Sequence, residues 1–249
     1  MKWLPRILLL LLALAAGSVC VRLGFWQLSR RAEKRHANVA MRAALAGASL
    51  DLGDSLPRWE QLGRRVVVVH GRFDDRVQIL LGGYEHEGQP GVEVVTPLML
   101  RAGEAVLVDR GWLSAQDPTS AHPEQFAEPT ARPVRALAES LPGGRQGAVT
   151  VLTGDSATRY LALHLNRDTL AARLPYPLSD VVLHELPGPG VPREPLRSLP
   201  EPLDETMHLS YAVQWFAIAA AIVGGSIALA VRGMPRPAVP RPLPEHSRR

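Results

Sequence analysis

At 249 residues, 46% of them hydrophobic and 21% charged, the chain has room for one or two domains and a substantial core. A formal charge of +4 would suit nucleic acid, but the basic residues lie largely in Arg22–Arg42 and Arg232–Arg249, flanking two apolar runs, with no basic–aromatic platform and no helix-turn-helix pattern. Nucleic acid is therefore excluded as a partner in favour of the lipid bilayer, and a single cysteine, Cys20, rules out internal disulfides and thiolate-rich zinc, iron–sulfur or copper centres.

The chain opens on a basic segment, Met1–Arg6, followed by the leucine- and alanine-rich run Ile7–Val21. A secretory signal fits this pattern, but no small-x-small cleavage site follows. Leu4 and Leu23–Leu28 extend the run instead, and Arg22 can snorkel its guanidinium to the headgroups. Residues 4–28 are expected to form an uncleaved transmembrane helix. Arg30–Leu45 lacks Gly and Pro, so the helix should continue to about residue 46. Cys20 follows bulky Val19, which disfavours lipid attachment and leaves it as a small apolar side chain in the span.

A β-rich domain is expected over 58–187. Its first strand is Arg65–Phe73, where Gly71 marks a bulge or a close backbone approach. Val77–Leu81 follows, with Gly82-Gly83 and Gly88 to Gly91 framing a turn. Val92–Leu100 and Glu104–Asp109 form a hairpin across Arg101-Ala102-Gly103. Arg110-Gly111-Trp112 ends that strand, with Gly supplying backbone freedom and Trp capping the core. Further short strands are expected at Val134–Leu137, Ala148–Leu152, Leu161–Leu165 and Val181–Leu186, with a short helix at Asp168–Leu174. Short strands without helical crossovers predict a mainly antiparallel sheet or partly closed barrel, not a doubly wound fold. The fold class is thus α+β, with transmembrane helices flanking a β domain. His70, His164 and His184 read as satisfied sheet residues, and His86, between Glu85 and Glu87, as a solvated turn residue.

A proline-rich linker, 188–206, leads to the second span at 207–231, and a basic, disordered tail follows at 232–249. This span bears no formally charged side chain, yet His208, Tyr211 and Trp215 share one helical face at its entrance. They read either as an interfacial belt or as a site. Ala217, Ala221 and Gly225 offer a small-residue stripe for packing, with Ala13 and Gly17 as the counterpart in the first span. Pairing would bring His208, Tyr211 and Trp215 near Arg22 and Trp26. A neutral imidazole is the commonest protein ligand to haem iron, and arginines suit its propionates. Phospholipid anchoring is the simpler chemistry for Arg22, Arg30 and Arg31. Two spans place both termini on one side, taken as cytoplasmic, with the central domain extracytoplasmic. Six residues precede the first apolar run, too few for a mitochondrial presequence, so a bacterial plasma (inner) membrane is expected.

Several segments resemble the Surfeit family of cytochrome oxidase biogenesis factors (Surf-one and its yeast relative Shy-one). They are Gly24-Phe25-Trp26-Gln27-Leu28 with Arg30-Arg31, Gly71-Arg72-Phe73, Val94-Val95-Thr96-Pro97-Leu98, Val106 to Trp112, and His208-Leu209-Ser210-Tyr211-Ala212-Val213-Gln214-Trp215-Phe216. Their order and the two-span layout match over about residues 4–232. The resemblance implies a non-enzymatic assembly factor for cytochrome c oxidase that receives or positions haem a for oxidase subunit I. In bacterial relatives the His at the entrance of the second span is implicated in haem binding, which here falls on His208. Arg22, Trp26, Tyr211 and Trp215 would then be pocket residues, with haem a held transiently. The alternative is a scaffold that recruits oxidase subunits or a haem a synthase without holding haem. A membrane-tethered hydrolase lacks a nucleophile–base–orienter set, and copper delivery lacks paired thiols or a Met-rich run.

Overall fold

The structure, a computed structural model, describes residues 4–126, 128–144, 147–153 and 157–232; of the tail expected to be disordered, 233–249 lies outside the described residues. The chain divides into two compact units, one made of Met1–Asn38 with Leu203–Arg249, the other of Val39–Pro202.

The first unit is helical. Helix α1 spans Leu4–Ala46, its last turns belonging to the second unit, and the final helix, α4, spans Thr206–Arg232. Both are long and apolar enough to cross a membrane. Asp204 starts α4 by accepting hydrogen bonds from Thr206 N (2.8 Å) and Oγ1 (2.6 Å), which hold its carboxyl below the usual range. The helices run antiparallel. Asn38 exchanges hydrogen bonds with the Leu203 backbone, Lys34 donates to the Asp204 carbonyl, Gln27 meets His208, and Gly24 and Gly17 face Phe216 and Val223. On α1 full or partial burial recurs every four and three residues: Ala13, Gly17, Cys20, Gly24, Gln27, Arg31, Lys34, Asn38. That is a heptad seam, small and apolar in its first half and polar in its second. On α4 the seam uses Ala212, Phe216, Ala219 and Val223. The expected stripe of Ala217, Ala221 and Gly225 is not the seam: Ala217 and Ala221 are exposed, and a Cβ on Gly225 would meet nothing within 4 Å. A spacing of four alone drifts around the helix, whereas alternating four and three stays on one face.

Among the described residues the second unit holds nine strands: β1 (Leu50–Gly53), β2 (Arg65–Phe73), β3 (Val77–His86), β4 (Gln89–Met99), β5 (Ala105–Ser114), β6 (Ala131–Ser140), β7 (Val149–Thr153), β8 (Thr158–Ala162) and β9 (Leu178–Glu185). Two short helices, α2 (Trp59–Leu62) and α3 (Arg167–Ala171), accompany them. The sheet runs β1-β2-β6-β9-β5-β4-β3-β8-β7, and an additional β2–β4 pairing closes a five-stranded mixed barrel from β2, β6, β9, β5 and β4. The barrel read from the sequence as partly closed is closed. Gly71 permits it: a Cβ there would lie 2.7 Å from the Met99 carbonyl oxygen and 2.8 Å from Leu98 Cγ. Val67, Val69, Phe73, Leu98, Val106 and Val134 fill the interior.

One turn assignment and one strand boundary change. Gly82-Gly83 forms a bulge inside β3, opposite Val92, with Gly83 at φ +85°. The reversal lies at Glu87-Gly88, both at positive φ, as a two-residue hairpin turn requires. Strand β8 starts earlier than the expected Leu161, because Thr158 to Ala162 pair parallel to Val77 to Leu81.

Candidate functional site

In the helical unit, the polar half of the seam receives His208. Its Nδ1–H donates to Gln27 Oε1 at 2.7 Å, while Nε2 is shielded from solvent and has no hydrogen-bond partner among the described residues. A histidine whose Nδ1–H is held by an acceptor presents Nε2 as a bare lone pair, the arrangement found where imidazole binds a metal. Of the five residues singled out from the sequence, His208 alone hydrogen-bonds across the seam among the described residues. Trp26 and Tyr211 are about half exposed, at 52% and 45%, Arg22 is exposed, and Trp215 is partly buried. Phe25 meets Phe216 edge-on, ring centroids 5.4 Å apart. Gln27 stands inside a motif quoted from the sequence, but only the heptad seam shows that it faces α4.

In the β unit, Arg110 and Gly111 bulge out of β5 opposite the single residue Val94. The strand therefore continues to Ser114 instead of ending at the Arg110-Gly111-Trp112 motif. The bulge turns Arg110 into a buried ionic cluster. Glu128 binds Arg110 (2.6 Å), Arg132 (2.7 Å) and Arg197 (2.6 Å), and Glu185 binds Arg132 and Arg197 (3.0 Å). The guanidiniums of Arg110 and Arg132 also lie over the Phe73 ring, 5.3 and 5.4 Å from its centroid. Burial would raise the Glu128 carboxyl; the arginines, Arg110 foremost, hold it below the usual range instead. Arg197 belongs to the stretch read from the sequence as a proline-rich linker. That stretch is strapped down: Leu196 and Trp112 exchange backbone hydrogen bonds of 2.6 and 3.0 Å.

Beside the strap lies a cleft of about 580 Å³ lined by Tyr84, His86, Glu93, Asp109, Trp112 and His184, among others. His184 Nδ1 lies 2.9 Å from Asp109 Oδ2. Burial pushes the Glu93 carboxyl up to about 9, helped by its hydrogen bond to, and the charge of, Asp109. Burial would also raise Asp109 and lower His184, but their hydrogen bond and opposite charges reverse both shifts. Glu93 thus keeps its proton at neutral pH and shares it with the Asp109 carboxylate, whose pairing with His184 favours the charged form of the imidazole. No group of three or more His, Cys, Asp or Glu side chains here could hold a metal ion, among the described residues. His86, the last residue of β3, lies against Trp112 with ring centroids 5.3 Å apart.

The SURF1 family model matches residues 14–220, across both spans and the barrel between them. The chain belongs to the SURF1 family. This family is associated with cytochrome c oxidase assembly. A SURF1-like protein of Rickettsia felis is 34% identical over 109 residues, 42% of this chain and 46% of that protein. One of Rickettsia conorii is 32% identical over 102 residues, 39% of this chain and 40% of its own length. A SURF1-like protein of Drosophila melanogaster is 27% identical over 227 residues, 80% of this chain and 70% of the fly protein. The chain thus spans less than half the length of either Rickettsia relative it matches.

Proposed function

We propose that this SURF1 family member is a membrane-anchored assembly factor that receives or positions haem a and passes it to cytochrome c oxidase subunit I. The observation that supports it best is His208, whose Nδ1–H is fixed by Gln27 and whose Nε2 is unpartnered. Haem a, when bound, supplies the redox-active iron; the chain's own residues only hold and orient it. His208 would hold the iron through its Nε2, and Trp26, Tyr211 and Trp215 would offer aromatic surface to the macrocycle near the membrane boundary. Arg22 lies close enough in sequence to the boundary to reach a carboxylate or a headgroup. The protein sits in a bacterial plasma membrane, with the barrel extracytoplasmic and both termini cytoplasmic; a haem a synthase is the donor. No catalytic residue is assigned.

The test is purification in detergent from cells that make haem a, followed by oxidised and reduced absorption spectra. Bound haem should accompany the native chain and fall at least tenfold in His208→Ala, the loss of the residue that would hold the iron costing more than about 1.4 kcal/mol. Unchanged haem content in the variant would overturn the ligand assignment. A second reading, a scaffold that recruits oxidase subunits or the synthase without haem, draws on the strapped Trp112 and the cleft beside it. Partner crosslinks retained in haem-depleted cells would favour it.

A further inference from the structure

We propose that Gln27 and Arg31 complete the His208 site, Gln27 as the residue that sets the imidazole tautomer and Arg31 as the cation that receives a porphyrin carboxylate. The inference rests on the haem reading above but names residues outside its site set. The seam itself places them. Gln27 and Arg31 occupy consecutive seam positions of α1, one turn apart on the same face, between Gly24 and Lys34. Up to Gly24 the seam is built from Ala, Gly and Cys, and the space of about 500 Å³ between the helices there is lined mostly by apolar side chains, Leu14, Val21, Phe216 and Val223 among them. At Gln27 the side chains lengthen and become polar.

Most polar groups in that half are satisfied. Asn38 bonds Leu203 and Glu205, Lys34 bonds the Asp204 carbonyl, and off the seam Arg30 pairs with Glu33. Two buried nitrogens stand out: His208 Nε2 and Arg31 Nε, each without a hydrogen-bond partner among the described residues. Arg31 also has no ion pair among the described residues. An unpaired guanidinium nitrogen and an unpaired imidazole lone pair in the same stretch of seam are costly unless something binds both. One is a donor and the other a Lewis base, so a guest that satisfies both offers an acceptor to Arg31 and a metal or a hydrogen-bond donor to His208. A metalloporphyrin carboxylate has both. Arg31 lies on the α4-start side of Gln27, the polar end of the seam, so the carboxylate points toward water.

The experiment uses the full chain in detergent and has two arms. In the porphyrin-free protein, nitrogen NMR of isotope-labelled histidine should show His208 as one tautomer, protonated at Nδ1, and a mixture of tautomers in Gln27→Leu. An unchanged His208 spectrum in Gln27→Leu overturns the role of Gln27, whatever haem does. Gln27→Glu, which keeps the acceptor, should retain the tautomer and lower the reduction potential of bound haem, because a carboxylate makes the imidazole more electron-donating.

In the second arm, haem a and its dimethyl ester are titrated by absorbance. Arg31→Gln should weaken haem a by about tenfold, the worth of one charge-assisted hydrogen bond, and leave the ester unchanged. Arg31→Lys should keep most of the affinity. Equal weakening of both porphyrins, or of neither, overturns the carboxylate contact and returns Arg31 to the phospholipid headgroups. Native-like binding of both porphyrins by His208→Ala would defeat the ligand assignment instead, and the porphyrin-free arm would still decide Gln27.

Discussion

Glu93 shows how the barrel fixes a charge state. Its folded-state value of about 9, against an ordinary 4.5, means that the folded protein holds a proton which the unfolded chain releases. Unfolding between those values sheds a proton, so stability falls as pH rises through the window. His184 acts in the same direction: its imidazolium is favoured in the fold, a contribution complete below 6.5 and lost as pH climbs through the raised value. Asp109, shifted down, loses its contribution only in acid, below 3.8. Hydrogen exchange of barrel amides should therefore quicken from pH 6 to 9 by more than the intrinsic pH effect. Glu93→Gln, neutral throughout and still able to donate to Asp109, should flatten that trend and stabilise the barrel by about 1 kcal/mol or more at pH 8. An equally steep trend in the variant would show that Glu93 is not its source.

The strap and the bulge depend on each other. Gly111 sits at φ +103°, and a Cβ there would run into the Leu196 carbonyl and come within 3.1 Å of Arg197 Cα. Gly111→Ala should cost about 2–4 kcal/mol through strain and overpacking. It should also free the strap, read as protease cleavage near Arg193 that the native chain resists. Arg197→Ala leaves buried Glu185 and Glu128 short of a counter-charge and should cost about 3–5 kcal/mol, read as earlier thermal unfolding of the barrel. Much at this scale was legible in the sequence. Val66 to Val69 and the Arg101-Ala102-Gly103 hairpin follow from β-branched runs and turn chemistry, and Gly71 marked a close approach. The ionic cluster was not legible, because Arg110, Glu128, Arg132, Glu185 and Arg197 meet only when distant strands pair. Leu50–Gly53 was missed as a strand, since it is short, exposed and held only by parallel pairing to β2.

At the scale of the whole chain, two apolar helices and a β-rich domain between them were legible from composition alone, because each has its own hydrophobic period. Barrel closure was not: it rests on Arg72 and Phe73 pairing with Met99 and Leu98, a register no local pattern encodes. The seam was half legible, its small residues visible on both helices but its heptad masked on α4 by a competing stripe of alanines. The site divides likewise: His208 announced itself as an ionisable group at a span entrance, whereas Gln27 required the helix pairing. The most direct measurement of the central claim is resonance Raman spectroscopy of the reduced, haem-a-loaded full chain, with and without isotope-labelled histidine. An iron–histidine stretching band that shifts with the label in the native chain and vanishes in His208→Ala is the predicted result. A band that persists unchanged in His208→Ala would contradict it.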